Sequence, residues 1–204
     1  MITIINYGSG NIAAIANTYK RLNIDYVVAS KPDELHLGSK LILPGVGAFD
    51  KTMELLNSSG LTDELNHLVL IKKKPILGVC VGMHVMAKKS EEGNLKGLGW
   101  FDASVKKLDV SVLNQKPYLP HMGWNSVKSH LNHDLFNDVD LNKGYYFLHS
   151  FYFSCHNLKN VLASTFYGYD FPSAVNAGNI YGVQFHPEKS HSNGLNLFSN
   201  FADL

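Results

Sequence analysis

The sequence predicts a single α/β domain, residues 1–204, with a mixed central sheet and a β-rich second half. Three observations carry this. Short, fully apolar runs alternate with amphipathic helical patterns over the first ninety residues, as in a parallel sheet covered on both faces. From Leu98 the pattern shifts to aromatic and β-branched segments separated by polar loops. No break in composition divides the chain, and 204 residues suffice to bury one full core.

The elements follow in order. Ile2-Thr3-Ile4-Ile5 reads as a strand, interrupted by Asn6-Tyr7-Gly8-Ser9-Gly10-Asn11, after which Ile12, Ile15, Tyr19 and Leu22 recur at helical spacing. A Gly-rich turn before a helix suits a phosphate, but Ala13 stands where the dinucleotide fingerprint needs its last glycine, which disfavours nucleotide binding. Tyr26-Val27-Val28-Ala29 and Leu41-Ile42-Leu43 are further strands, the latter ending in Pro44-Gly45-Val46-Gly47-Ala48-Phe49. Helices are expected over about 50–57 and 61–72. Pro75-Ile76-Leu77 then leads through Gly78-Val79-Cys80-Val81-Gly82 into a helix over Met83-His84-Val85-Met86-Ala87-Lys88-Lys89. In the second half, Trp100, Phe101, Val105, Val127 and residues 145–153 and 161–166 mark β segments, and residues 128–143 a surface loop or short helix. Asn179-Ile180-Tyr181-Gly182-Val183-Gln184-Phe185 is a late strand, and Leu195, Leu197, Phe198 and Phe201 indicate a closing helix.

Composition narrows the function classes. A net charge of +1, from 18 basic and 17 acidic residues, gives no global field for nucleic acid or membrane. The single arginine, Arg21, leaves little bidentate anion recognition. Two cysteines make no disulfide framework, and without a signal-like or membrane-length apolar run the chain is expected to be cytoplasmic. No metal or cofactor is expected.

The chemistry concentrates at two places. Glycines two residues either side of Cys80 permit a tight strand-to-helix turn that projects the thiol, and a helix starting just beyond aims free N–H groups at the sulfur, favouring thiolate. A buried cysteine between helix-packing glycines fits that motif equally well. The second place is His186-Pro187-Glu188, after the late strand. If this segment stays extended, residues two apart share a face, and Glu188 orients the imidazole. A lone turn histidine is the plainer alternative; joined to Cys80 it completes a Cys-His-Glu triad. In a doubly wound sheet ligands gather at the carboxyl ends of strands, where both Cys80 and the 44–47 loop fall.

Four motifs in order carry a resemblance: Pro44-Gly45-Val46-Gly47-Ala48-Phe49, Gly78-Val79-Cys80-Val81-Gly82-Met83, Pro120-His121-Met122-Gly123-Trp124-Asn125 and Gly182-Val183-Gln184-Phe185-His186-Pro187-Glu188-Lys189-Ser190. The chain resembles the class I (triad) glutamine amidotransferases. Within them it is similar to the glutaminase subunits of imidazole glycerol phosphate synthase, a likeness extended by Asn6-Tyr7-Gly8-Ser9-Gly10-Asn11 and Tyr146-Phe147-Leu148-His149-Ser150. The resemblance implies a flavodoxin-like three-layer fold and glutamine hydrolysis by Cys80, His186 and Glu188. It implies oxyanion donors at Val81 and in Gly45-Val46-Gly47, where a Gly-flanked peptide can swing the Val46 N–H toward the developing charge. It places Glu92, with Glu91 competing, at the amino group of glutamine and His149-Ser150 near its carboxylate. It sets His121, Met122, Trp124, Asn125 and Lys189 facing a partner.

That partner would be the TIM-barrel cyclase subunit that receives the ammonia for histidine synthesis, or alternatively a sugar amidotransferase of surface polysaccharides. A catalytically weak binding subunit and a cysteine peptidase or esterase on a related frame are the further alternatives. One position departs from the family pattern: His84 stands where glutamine is usual, four residues after the nucleophile and on its face of the helix. Weaker glutamine binding with a histidine-like pH dependence is expected.

Overall fold

Each early apolar run becomes a strand of the central sheet, in a computed structural model that describes all residues but Asn114, Gln115, Pro117, Leu131 and Leu141. The chain runs β1 (Ile2–Ile5), α1 (Ile12–Arg21), β2 (Tyr26–Ala29), β3 (Lys40–Gly45), α2 (Phe49–Ser58) and α3 (Thr62–Asn66), the last extended by a π-helical turn at His67–Ile71. Then come β4 (Ile76–Cys80), α4 (Val81–His84), β5 (Lys89–Ser90), β6 (Ala103–Lys107), β7 (His121–Asn125), β8 (Lys128–Ser129), β9 (Tyr145–His149) and β10 (Phe151–Cys155). β11 (Val161–Tyr167), β12 (Tyr169–Ala177), β13 (Ile180–Val183) and α5 (His191–Asp203) complete it.

Among the described residues the main sheet has eight strands in the order β2-β1-β3-β4-β13-β12-β11-β8. The first five are parallel and the last three antiparallel, so the sheet is mixed. β1 and β4 are buried along their whole length, which is why they read as apolar runs, broken only by the buried Thr3. Two small sheets, β10-β6-β5 and β7-β9, make up the β-rich additions. Register positions the chemistry: Gly45 lies opposite Cys80, and Gly182 opposite Gly78, so β3, β4 and β13 deliver their following segments to one edge.

Three expectations change in the structure. The helix after Cys80 is four residues long, because the carbonyls of Val85, Met86 and Ala87 accept from the Leu98, Phe101 and Gly99 amides rather than from a continuing helix. The late strand stops at Val183, though the Gln184 N–H still donates to Ser173 O at 2.9 Å. Residues 128–143 hold the short strand β8 and a 3₁₀ turn at Asp134–Phe136; within them Leu131 and Leu141 lie outside the described residues. No helix among the described residues is long and apolar enough to cross a membrane.

Candidate active site

Cys80 sits at the apex with φ 55° and ψ −114°, a conformation that side chains disfavour by about 1–3 kcal/mol. The glycines around it do not share that strain; contact decides them. A Cβ on Gly82 would lie 1.9 Å from Leu43 O, one on Gly45 2.4 Å from Gly82 N, and one on Gly78 2.7 Å from Gly82 O. Missing side chains thus let the turn press onto β3, and Cys80 itself carries the backbone strain.

His186 follows β13 and is anchored by its N–H to Tyr146 O at 2.9 Å. Its Nδ1 donates to Glu188 Oε1 at 2.8 Å, with both side chains buried. The segment is not extended, as the sequence suggested; Pro187–Lys189 forms a 3₁₀ turn that curls the carboxylate back onto the ring. With Nδ1 committed, Nε2 serves Cys80. Burial works against charge on His186, yet hydrogen bonds and charges from Cys80 and Glu188 outweigh it and raise its pKa to about 10. Burial likewise opposes ionisation of Glu188, and His186 with Asn11 reverses the balance, holding it below the usual glutamate value. Asn11 Nδ2 donates to the same Oε1 at 2.7 Å, while Glu188 Oε2 is buried without a hydrogen-bond partner.

The loop over residues 45–47 is tied to Ser9. Val46 N–H donates to Ser9 Oγ at 3.2 Å, and that hydroxyl donates to Val46 O at 3.1 Å. Gly47 has φ +90°, a conformation suited to glycine, and Val46 is 41% exposed. Gly10 packs the Ser9 loop against Pro44, since a Cβ there would come within 2.5 Å of the proline Cβ.

A cavity of about 500 Å³ joins these parts, lined by Cys80, Val81, His186, Val46, Gly47, His84, Glu92, His149, Ser150, Asn11, Pro120, Leu148, Phe151 and Lys189. Glu92 lies at the start of α2, accepting from Phe49 N–H at 2.9 Å, and burial raises its pKa against that bond. Its rival Glu91 is instead occupied by Lys107 N–H at 2.8 Å. His149 donates from Nδ1 to Phe151 O at 2.8 Å, which leaves Nε2 to accept from His121 Nδ1 at 2.9 Å.

Two expectations need correction here. His84 is 2% exposed, and burial pushes its pKa down to about 4, outweighing its bond to Gln184. It therefore stays neutral across pH 6 to 8, and the histidine-like pH dependence expected in that window has no titrating group behind it. His121 does not face outward: it is 4% exposed and stacked on Phe147 and Tyr167. Strand alternation sends Met122 and Trp124 to solvent, 61% and 47% exposed, and turns His121 inward. Asn125 is half-buried, donating to Phe166 O, and Lys189 Nζ lies 5.5 Å above the Tyr146 ring.

Ser9, Asn11 and Gln184 are site residues with no role assigned from sequence. Gln184 is fully buried, its Oε1 2.7 Å from His84 Nε2 and its Nε2 4.0 Å from Cys80 Sγ. The available signal for the first two was positional: they follow β1, and so lie at the carboxyl edge where Cys80 emerges.

Comparisons with known proteins bear on the family and the fold. A family model described as "Glutamine amidotransferase class-I" matches residues 3–203. The chain is 50% identical to "Imidazole glycerol phosphate synthase subunit HisH" of Bdellovibrio bacteriovorus and 48% identical to the protein of that name from Leptospira borgpetersenii, over all of each chain. Among solved structures, "Crystal structure of glutamine amidotransferase" superposes with a TM-score of 0.71 at 20% identity over the whole of both chains. "Structure of PurLQS from Thermotoga maritima" gives 0.70 at 16% identity over 99% of this chain and 97% of that one. The two structures support the fold alone.

Proposed function

The chain belongs to the class-I glutamine amidotransferase family, and from that premise we propose that Cys80, His186 and Glu188 form the triad of its glutaminase reaction. The observation that carries the proposal is the Nδ1–Oε1 bond of 2.8 Å, which leaves His186 Nε2 to the thiol in a cavity with ample room for glutamine. Cys80 thiolate attacks the side-chain amide carbon of glutamine, and charge moves to the carbonyl oxygen, met by the Val81 N–H at the start of α4. The intermediate collapses as imidazolium gives its proton to the leaving nitrogen, releasing ammonia and a thioester. Neutral His186 then takes a proton from water; the hydroxide attacks the thioester, glutamate departs, and the thiolate–imidazolium pair returns.

The chain acts as the glutaminase subunit of imidazole glycerol phosphate synthase, passing ammonia to a TIM-barrel cyclase subunit. Relatives bearing that name at 50% and 48% identity support this assignment over the sugar amidotransferase alternative. The apolar rim supports a docked partner: Val46 and Leu148 line the cavity at 41% and 37% exposure, and on the strand paired with Leu148 lie Met122 and Trp124, 61% and 47% exposed. Glu92 receives the substrate ammonium and Ser150 lies at the carboxylate end. Because Ser9 occupies the Val46 N–H, the isolated chain is a poor glutaminase and the partner completes the oxyanion site. The test is to purify the native complex, identify the bound subunit and measure glutamine hydrolysis with and without it. A cyclase partner and strong activation are expected; a sugar amidotransferase partner, or full activity alone, would overturn the assignment.

A further inference from the structure

We infer that the Gln184 carboxamide is a further catalytic group, steadying the Cys80 thiolate through its N–H, and that His84 is the positioning residue that turns it that way. The inference rests on Cys80 being the nucleophile. It deepens that assignment by giving work to two buried side chains outside the triad.

The argument is one of hydrogen-bond direction. A carboxamide has a donor end and an acceptor end that look alike in shape, so the partners decide which faces where. At one end His84 Nε2 lies 2.7 Å from Gln184 Oε1; at the other Gln184 Nε2 lies 4.0 Å from Cys80 Sγ, a long contact to sulfur. A carbonyl oxygen only accepts, so His84 carries its proton on Nε2 and leaves Nδ1 bare. That nitrogen is buried and has no partner, so a proton placed there would be left without an acceptor, and the tautomer protonated on Nε2 leaves only a lone pair. Burial also keeps the ring from taking a second proton, its pKa falling to about 4. The reverse arrangement would aim a carbonyl oxygen at the thiolate and repel it. His84 thereby selects the orientation in which an N–H faces the sulfur. Gln184 itself is fixed by its backbone, whose N–H donates to Ser173 O, and its side chain has no access to water that could take over either bond.

Full-length protein is treated with iodoacetamide at pH 7, and Cys80 alkylation is followed by peptide mass spectrometry, with melting curves recorded in parallel. Gln184→Leu and His84→Phe should slow the reaction about tenfold, the lower end for a hydrogen bond to a charged group given the long contact. His84→Gln should restore it to within about twofold of wild type, because a glutamine amide nitrogen reproduces the imidazole Nε2–H. Gln184→Glu keeps the volume but turns an oxygen to the sulfur, and should be slower still. Wild-type rates in Gln184→Glu, or His84→Gln as slow as His84→Phe, would overturn the relay while leaving the triad intact. Wild-type Cys80 reacting no faster than Cys155 would overturn the nucleophile assignment, and the relay with it.

Discussion

Replacing Ser9 by alanine should make the isolated chain a better glutaminase. The hydroxyl holds both faces of one residue, accepting from Val46 N–H at 3.2 Å and donating to Val46 O at 3.1 Å. Each neutral hydrogen bond is worth about 0.5–1.5 kcal/mol net, and with Val46 41% exposed the low end applies, since water replaces what is lost. Two bonds at about 0.5 kcal/mol bias the loop by about 1 kcal/mol, a factor of about five in the population with a free amide. Glutamate release by Ser9→Ala without a partner should therefore rise about fivefold in kcat, with little change in KM. With the partner saturating, the two proteins should converge, because the partner already frees the amide. An unchanged or lower partner-free kcat, at an unaltered melting temperature, would refute the idea that Ser9 restrains the oxyanion loop.

Further predictions follow from the same geometry. Glu188→Gln keeps an oxygen near His186 Nδ1 but removes the charge that holds the imidazolium, so kcat should fall about 10²–10⁴-fold in a steady-state assay with the native partner. The folded-state pKa of His186 is raised above its unfolded value, so its stabilising contribution is full below pH 6.5 and lost as pH climbs through about 10. Denaturant titrations should show the advantage of wild type over His186→Asn shrinking across that alkaline window. For His84 the sign reverses: the unfolded chain protonates first as pH falls below 6.5, draining stability until about pH 4. His84→Gln should remove up to about 1.4 kcal/mol per pH unit of that acid loss in pH-dependent melts, while its glutamine KM profile from pH 6 to 8 should parallel wild type. Trp124→Ala removes an exposed aromatic stacked on His191 at 5.1 Å, and calorimetric titration with the partner should show affinity falling by about 2 kcal/mol.

Much of the architecture could be read from local pattern because β1 and β4 are buried along both faces and are mostly apolar, the one polar member, Thr3, being satisfied by the Gly38 N–H, and β3 is nearly so. The turn at Cys80 was readable for a related reason: Gly45, Gly78 and Gly82 sit where a Cβ would collide with backbone. The length of α4 was not, since the carbonyls that should have extended it are taken by amides more than ten residues later in the chain, at Leu98, Gly99 and Phe101. His121 was misplaced because a motif match ignores which way a strand residue points; period-two alternation from exposed Met122 and Trp124 would have turned it inward. Ser9, Asn11 and Gln184 stayed silent because their roles lie in partners 37, 177 and 104 residues away, contacts that only the folded chain creates.

The positive φ of Cys80 means that folding and chemistry ask for different residues at position 80. Glycine adopts that conformation freely, so Cys80→Gly should melt higher than wild type while hydrolysing nothing. If Cys80 is the nucleophile proposed above, demand for ammonia is what keeps a side chain at that position. In a lineage that no longer needed the reaction, drift at this one codon would be downhill, and the fold would outlive the enzyme.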